Sequence, residues 1–217
     1  MLGRRLRRKK GKKEMVYLFD IDGVLIHYDN YSLDALKQGR NIDIEKVMEQ
    51  YYRSTENIEC DKGKKDIYVE IEPYLNKFGW ESNPKKYFEL IWDYEKRFID
   101  RDLMVKIRKL KKNNKLFIAS NQNMYRKKFL INELNLDVNF DECFFSCDIG
   151  FIKGENEYWE YITEYIKEKE LENEEVIFLD DLIDNINIAR SNGFNSLHIT
   201  SKNQIMMYLD NEIGRMA

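Results

Sequence analysis

Pairs of carboxylates follow two apolar segments of this sequence, and both pairs could take part in acid chemistry or bind a metal. Asp20 and Asp22 end the segment MVYLFDID, and Asp180 and Asp181 end the segment VIFLDD. Carboxylates that lie close together resist joint ionisation unless a cation is near. A strand end followed by an Asp-Gly turn would explain Asp20 and Asp22 equally well. The first pair alone therefore leaves a turn and an acid site open.

Two other positions carry polar side chains that would complete such a site. Ser120 and Asn121 end the segment LFIASN, and Lys153 lies in the glycine-flanked segment GFIKG. Carboxylate oxygens suit Mg²⁺, whereas a hydroxyl and an ammonium suit an anionic group. Each residue also has a structural explanation, as a helix cap for Ser120 and a solvated surface lysine for Lys153. Their joint occurrence predicts phosphoryl transfer.

The elements that must position these residues are short strands and helices in alternation. Strands are predicted at the five segments rich in β-branched and aromatic residues, 15–20, 116–120, 143–146, 176–180 and 196–200. Helical patterns follow the later strands, with Trp159, Ile162 and Ile166 on one face and Ile183, Ile186 and Ala189 on another. Such alternation predicts a parallel sheet covered on both faces, which binds ligands at the carboxyl ends of its strands.

The sequence pattern of residues 28–100 differs and predicts a helical segment between the first and second strands. Asp43 and Asn83 are predicted N-caps, and Pro84 fits the first turn that follows. Pro73 lies inside the helical pattern of KDIYVEIEPYLNKFG and predicts a break or restart there.

Composition and charge exclude several classes of protein. The chain has 217 residues, 43% of them hydrophobic, which suits one sizeable domain or a core domain with a smaller insert. Its apolar runs fall short of the ~18 residues that a membrane span needs. Three cysteines and two histidines predict neither a disulfide framework nor a histidine-rich metal centre, and they favour a reduced, cytoplasmic location.

The charge is distributed unevenly along the chain. Residues 1–14 carry eight Lys or Arg side chains and one Glu, and the rest has a net charge of −10. An acidic body argues against a specific nucleic-acid surface. The basic segment predicts a disordered tail, with attachment to nucleic acid or an anionic membrane as the weaker alternative.

Taken in order, the segments DIDG, ASNQ, GFIKG and FLDDLIDNINIARSNG resemble the four motifs of the haloacid dehalogenase (HAD) superfamily. The sequence is most similar to its helical-cap phosphatases (subfamily I), over 15–27 and about 100–217. This resemblance implies an α/β, Rossmann-like, doubly wound parallel sheet with an inserted α-helical cap domain. The tail would span 1–14, the catalytic core 15–27 and 101–217, and the cap 28–100.

The resemblance implies roles for the acidic residues. Asp20 would be the nucleophile that forms an aspartyl-phosphate, and Asp22 the general acid and then the general base. Mg²⁺ would be held by Asp20, the backbone carbonyl of Asp22, and Asp181, with Asp180 in support. True dehalogenases lack an acid at the position of Asp22, since a halide leaves without a proton.

The resemblance also implies a phosphate-binding set with one departure from the family. Ser120 and Lys153 would bind the phosphoryl oxygens, and Asn121 would add a hydrogen bond. The family commonly has Lys-Pro-Asp-Pro where this chain has Lys153 followed by Gly-Glu-Asn. The lysine is kept but the prolines that stiffen its loop are lost. The polar segment HYDNYS (27–32) is a candidate for substrate contact.

The predicted function is hydrolysis of a small phosphorylated metabolite, such as a sugar phosphate, by a Mg²⁺-dependent enzyme. Two alternatives stay open. One is a phosphomutase or phosphotransferase of the same family. The other is a non-catalytic binding module on the same scaffold, tethered by its basic tail. The sequence does not predict an oligomeric state.

Overall fold

The computed structural model describes residues 14–27, 37, 41–171 and 175–215. The predicted basic tail lies outside the described residues except for Glu14, and HYDNYS lies outside them except for His27. The predictions for these two segments stay predictions.

The core of the fold is a parallel sheet of five strands in the order β3-β2-β1-β4-β5. The strands are β1 (Val16–Phe19), β2 (Lys115–Ser120), β3 (Glu142–Phe145), β4 (Val176–Asp180) and β5 (Asn195–His198). All five predicted strands are confirmed, with ends that differ by at most two residues. The parallel α/β class is confirmed as well.

Both faces of the sheet are buried. In β1, Val16 and Leu18 face one apolar cluster, and Tyr17 and Phe19 face the other. All four are at most 1% exposed. Strands that are buried on both faces read as continuous apolar runs, which explains why MVYLF shows no alternation of polar and apolar residues.

Helices fill the long connection between β1 and β2. The described ones are α1 (Ile44–Gln50), α2 (Thr55–Asp61), α3 (Ile67–Lys77) and α4 (Pro84–Glu95), with a short 3₁₀ turn at Lys96–Phe98. We call α1–α4 the helical insert. Its two connections to the core meet at an antiparallel bridge between Ile26 and Ile99.

The predicted helix caps are confirmed, but the predicted break at Pro73 is wrong. The side chains of Asp43 and Asn83 each accept a hydrogen bond from the backbone of Lys46 and Lys86, respectively. Helix α3 runs through Pro73 without interruption. Pro73 is exposed, so water can solvate the carbonyl group that loses its partner, while the buried side chains on the opposite face hold the helix.

The remaining helices cover the sheet. They are α5 (Arg101–Lys111), α6 (Met124–Asn132), α7 (Ser146–Ile149), α8 (Asn156–Glu168), α9 (Ile183–Ser191) and α10 (Lys202–Gly214). The predicted apolar face of α8 is confirmed, whereas Ile183 in the first turn of α9 is 47% exposed and only Ile186 and Ala189 are buried. Among the described residues, no helix combines the length and apolar character needed to cross a membrane.

Candidate active site

The carboxyl ends of β1, β2 and β4 bring the predicted site residues together. Asp20 follows β1 directly and is 4% exposed; Ser120 and Asp180 end their strands and are at most 1% exposed. The backbone of Asp20 donates a hydrogen bond to the carbonyl of Leu179, which ties this position to β4. Parallel pairing therefore places these side chains at one edge of the sheet.

Lys153 lies between two of the carboxylates. Its Nζ is 2.7 Å from Oδ2 of Asp20 and 2.6 Å from Oδ2 of Asp180, and its side chain is 2% exposed. Burial lowers the pKa of Lys153, but the charges of Asp20 and Asp180 outweigh burial and raise it above its usual range. Lys153 is therefore a fixed cation in a dry site.

Hydrogen bonds stabilise the Lys153 loop, which lacks the prolines of the family pattern. Oδ1 of Asn121 accepts a 2.8 Å hydrogen bond from the backbone N–H of Lys153, and Nε1 of Trp159 donates to the carbonyl of Lys153 at 2.8 Å. Oε2 of Glu155 accepts from the backbone of Ile152 at 3.0 Å. The side chain of Asn121, predicted to bind substrate, thus binds the lysine loop in this structure.

Asp180 has a full set of partners. In addition to Lys153, it accepts hydrogen bonds from the backbone of Leu182 at 2.7 Å and from the side-chain amide of Asn185. These bonds anchor Lys153 to the start of α9.

Asp20, Asp180 and Asp181 form an acidic cluster in which one oxygen of each residue lies within 4.8 Å of the others. Burial raises the pKa of Asp20 well above its usual range, and the charges of Asp180 and Asp22 add to this effect, while Lys153 opposes it. Burial and the charge of Asp180 raise the pKa of Asp181 to about 6. One lysine does not neutralise three carboxylates, so an oxygen-only donor set with excess negative charge fits a hard divalent cation.

Because Gly23 has no side chain, Asp181 can occupy the space beside it. Its φ is +73°, and a Cβ atom at this position would lie 2.3 Å from Cγ of Asp181. The backbone carbonyl of Asp181 contacts Nε2 of His198 at 2.8 Å. This contact gives His198 a structural role beside the acidic cluster.

The carboxylate of Asp22 faces β2. Nε2 of Gln122 donates to Oδ2 of Asp22 and to Oγ of Ser120, both at 3.0 Å. The guanidinium of Arg126 on α6 binds both oxygens of Asp22, at 2.8 and 3.0 Å. Asp22 and Ser120 therefore belong to one hydrogen-bonded network.

The helical insert supplies acidic residues to the same network. Oε2 of Glu95, at the end of α4, lies 3.1 Å from Arg126. Asp61, at the end of α2, accepts a hydrogen bond from Asn57. Burial raises the pKa of Asp61 to about 7; Arg126 opposes the shift and Asp22 adds to it.

The sequence patterns did not predict five residues of this site: Gln122, Arg126, Asn185, Glu95 and Asp61. Asn185 follows Asp180 by five residues in the quoted motif, and this closeness was an available signal. Arg126 and Glu95 read as ordinary polar positions of helices, and no local pattern marks their pairing.

The three cysteines take no part in this site. Burial raises the pKa of Cys60 and Cys147 to about 11 and that of Cys143 to about 12. Near neutral pH these free thiols are protonated, which removes their nucleophilic form.

Three features define a class of α/β hydrolases. They are a Rossmann-like parallel sheet, an acidic cluster with a buried lysine at the carboxyl edge of that sheet, and a helical insert after the first strand. The model of the haloacid dehalogenase-like hydrolases matches residues 15–193. The chain belongs to this family, as its four motifs predicted.

Solved structures share the fold. A predicted HAD-like family hydrolase from Porphyromonas gingivalis has 22% sequence identity and a TM-score of 0.70, with 91% of this chain and 97% of that chain covered. The HAD family enzyme bt-2542 from Bacteroides thetaiotaomicron, in complex with magnesium and inorganic phosphate, has 19% identity and a TM-score of 0.66, with coverages of 86% and 94%.

Dehalogenases also share this fold. The L-2-haloacid dehalogenase PA0810 has 15% identity and a TM-score of 0.64, with 86% of this chain and 84% of that chain covered. A search of curated proteins gives no match. At these identities the structural likeness shows the fold, and the reaction has to be argued from the site.

Proposed function

We propose that this protein is a Mg²⁺-dependent phosphatase that hydrolyses a small phosphorylated metabolite, such as a sugar phosphate, through an aspartyl-phosphate. The observation that carries the proposal is the contact of buried Lys153 with Asp20 and Asp180 next to Asp181. This arrangement combines a nucleophile, a fixed cation and a cation-binding cluster at one sheet edge. Phosphoryl transfer through an aspartyl-phosphate uses each of these parts.

The acidic cluster would hold the metal. Asp20 and Asp181 would supply carboxylate oxygens and Asp22 its backbone carbonyl, with Asp180 in support. When bound, Mg²⁺ would neutralise the cluster and draw negative charge from the phosphoryl oxygens. The magnesium complex of the Bacteroides enzyme, which shares the fold, supports this choice of metal.

In the first step, an oxygen of Asp20 attacks phosphorus while the bond from phosphorus to the leaving oxygen breaks. Asp22 donates a proton to that oxygen, and Ser120 and Lys153 bind the phosphoryl oxygens. In the second step, Asp22 takes a proton from water as the water oxygen attacks the same phosphorus. Asp20 is regenerated and inorganic phosphate leaves.

Asp22 favours phosphate chemistry over removal of a halide. An alkoxide leaving group needs a proton, whereas a halide departs as a stable anion. The network of Asp22 with Gln122 and Ser120 places an acid next to the predicted phosphate-binding hydroxyl.

We propose further that residues 28–100 act as a cap over the site. Oγ of Ser146 donates to the carbonyl of Asp61 in the insert and accepts from the backbone of Gln122 in the core, at 2.6 and 2.9 Å. These bonds support an insert seated beside the acid network, which limits the site to small substrates. The substrate is a metabolite rather than nucleic acid, and the buried protonated thiols suit the cytoplasm.

The test is phosphate release from sugar phosphates, an aryl phosphate and a 2-haloacid (for halide), with and without Mg²⁺. We expect Mg²⁺-dependent phosphate release that Asp20→Asn abolishes. Asp210→Asn is the matched control, because Asp210 is exposed on α10. Absence of metal-dependent release, or no effect of Asp20→Asn, contradicts the proposal.

Other outcomes identify the alternatives. A covalent phosphate that persists until a second phosphorylated substrate is added indicates a mutase or transferase. Halide release that Asp20→Asn abolishes, without phosphate release, indicates a dehalogenase.

A further inference from the structure

Arg126 binds both oxygens of the Asp22 carboxylate. Nη2 of Arg126 donates to Oδ1 of Asp22 at 2.8 Å, and Nη1 donates to Oδ2 at 3.0 Å. Gln122 adds a third hydrogen bond to Oδ2. A bidentate guanidinium fixes both the position and the plane of a carboxylate, which a single hydrogen bond does not. The orientation of Asp22 therefore depends on Arg126.

Arg126 also contacts the helical insert. Nη2 of Arg126, which binds Asp22, lies 3.1 Å from Oε2 of Glu95, at the end of α4. The Arg126 side chain is 16% exposed and that of Glu95 is 8% exposed. Exposed ion pairs contribute little, but this pair is largely shielded from water and is correspondingly sensitive to geometry.

We propose that Arg126 is a positioning residue that sets the orientation of Asp22 and couples it to the insert through Glu95. One guanidinium binds a carboxylate of the core and a carboxylate of the insert at the same nitrogen. A shift of α4 relative to α6 therefore changes the geometry at Asp22. A bidentate guanidinium favours the ionised form of Asp22, which is the form that takes a proton from water in the second step. A substrate that seats the insert over the site aligns this carboxylate by the same connection. The inference rests on the phosphatase function proposed above.

The connection predicts a specific kinetic signature. A misplaced Asp22 carboxylate slows the attack of water on the aspartyl-phosphate, a step that alkyl and aryl phosphates share. Binding of the phosphoryl group by Ser120 and Lys153 stays intact, so the covalent intermediate still forms. Loss of Arg126 is therefore expected to lower kcat for both kinds of substrate and to let the aspartyl-phosphate accumulate.

The experiment compares Arg126→Gln, Arg126→Lys and Glu95→Gln with the wild type on an alkyl phosphate and on p-nitrophenyl phosphate. We expect Arg126→Gln to lower kcat for both substrates about 10²-fold, the lower end of the usual acid–base contribution. With p-nitrophenyl phosphate, a burst of p-nitrophenolate should precede the slow steady state, because the aspartyl-phosphate forms faster than water removes it. Arg126→Lys should recover only part of the rate, since an ammonium does not bind both oxygens in the same plane. Glu95→Gln should act in the same direction with a smaller loss.

A double-mutant cycle separates positioning from stability. In an Asp22→Asn background, Arg126→Gln should cause no further loss of kcat, because the two residues act as one unit. Lys128→Gln is the control, since Lys128 is exposed on the same helix. The thermal midpoint of each variant shows whether it folds, and if Arg126→Gln does not fold, Arg126→Lys and Glu95→Gln carry the test.

A lower kcat without a burst, or losses that add to that of Asp22→Asn, overturn the role of Arg126. If the activity depends on Asp20 and the folded Arg126 variants have the same activity as the wild type, this inference is overturned and the proposed function stands. A wild-type protein without metal-dependent release overturns both.

Discussion

Nζ of Lys153 lies 2.7 Å from Oδ2 of Asp20, and both side chains are almost completely buried. The same nitrogen lies 2.6 Å from Asp180. A buried cation shared by two carboxylates is a structural requirement in addition to its proposed catalytic role, because loss of one charge leaves the others uncompensated.

Lys153→Met should therefore destabilise the protein and abolish activity. Loss of one partner of a buried ion pair typically costs about 3–5 kcal/mol. Denaturant unfolding measures this cost. The double variant Lys153→Met/Asp180→Asn should recover part of the stability, because it removes one uncompensated charge. It should recover no activity, since Lys153 is still absent. Equal stabilities of the single and double variants would contradict the electrostatic explanation.

Gly23→Ala should reduce both stability and Mg²⁺-dependent activity. Its Cβ atom would lie 2.3 Å from Cγ of Asp181, at a φ of +73°. Gly150→Ala is the matched control, since Gly150 has a φ of +89° but no atom within 4 Å of the added Cβ. Both variants should lose about 1–2 kcal/mol from backbone strain.

Only Gly23→Ala should also lose activity, because only there does the methyl group displace a predicted metal ligand. Phosphate release, assayed at rising Mg²⁺ concentrations, checks this difference. Equal activity in the two folded variants would show that Asp181 is not needed in its present position.

Mg²⁺ should stabilise the protein more as the pH rises through about 6. Burial and Asp180 raise the pKa of Asp181 to about 6, so its carboxyl is protonated below that pH and binds a cation poorly. Above it, a metal at 100 times its Kd would add about 2.7 kcal/mol to the free energy of unfolding. Thermal unfolding with and without Mg²⁺, at about pH 5 and 7.5, measures the effect.

Asp181→Asn should remove this pH-dependent gain, whereas Asp184→Asn should keep it, since Asp184 is exposed on α9. A Mg²⁺ effect of equal size at both pH values would exclude Asp181 as a titrating ligand.

Asp61→Asn should stabilise the protein at high pH but not at low pH. Burial raises the pKa of Asp61 from 3.8 to about 7. Between these values the folded protein binds more protons than the unfolded chain, so stability falls as the pH rises. Asparagine removes this penalty, which has an upper bound of about 4 kcal/mol.

Denaturant unfolding across this pH range measures the difference between variant and wild type. The difference should be absent below about pH 4 and complete above about pH 7. A difference that grows toward acid pH would have the wrong sign for a raised pKa.

Local sequence determined most of the architecture. The strand segments, the caps at Asp43 and Asn83 and the buried face of α8 follow from patterns within a few residues, since side-chain periodicity and capping act over one or two turns. The break predicted at Pro73 was wrong because burial on the other face of α3 outweighs one missing hydrogen bond.

The sequence by itself also determined the candidate acids and the lysine. The acids follow strands whose carboxyl ends share one edge of a parallel sheet, and the lysine lies in the glycine-flanked segment before α8. The tertiary structure alone decided their partners. Arg126 binds Asp22 across 104 residues of sequence, and Lys153 binds Asp180 across 27. The physical reason is that hydrogen bonds and ion pairs form between atoms a few ångströms apart, and separation along the chain carries no trace of that distance.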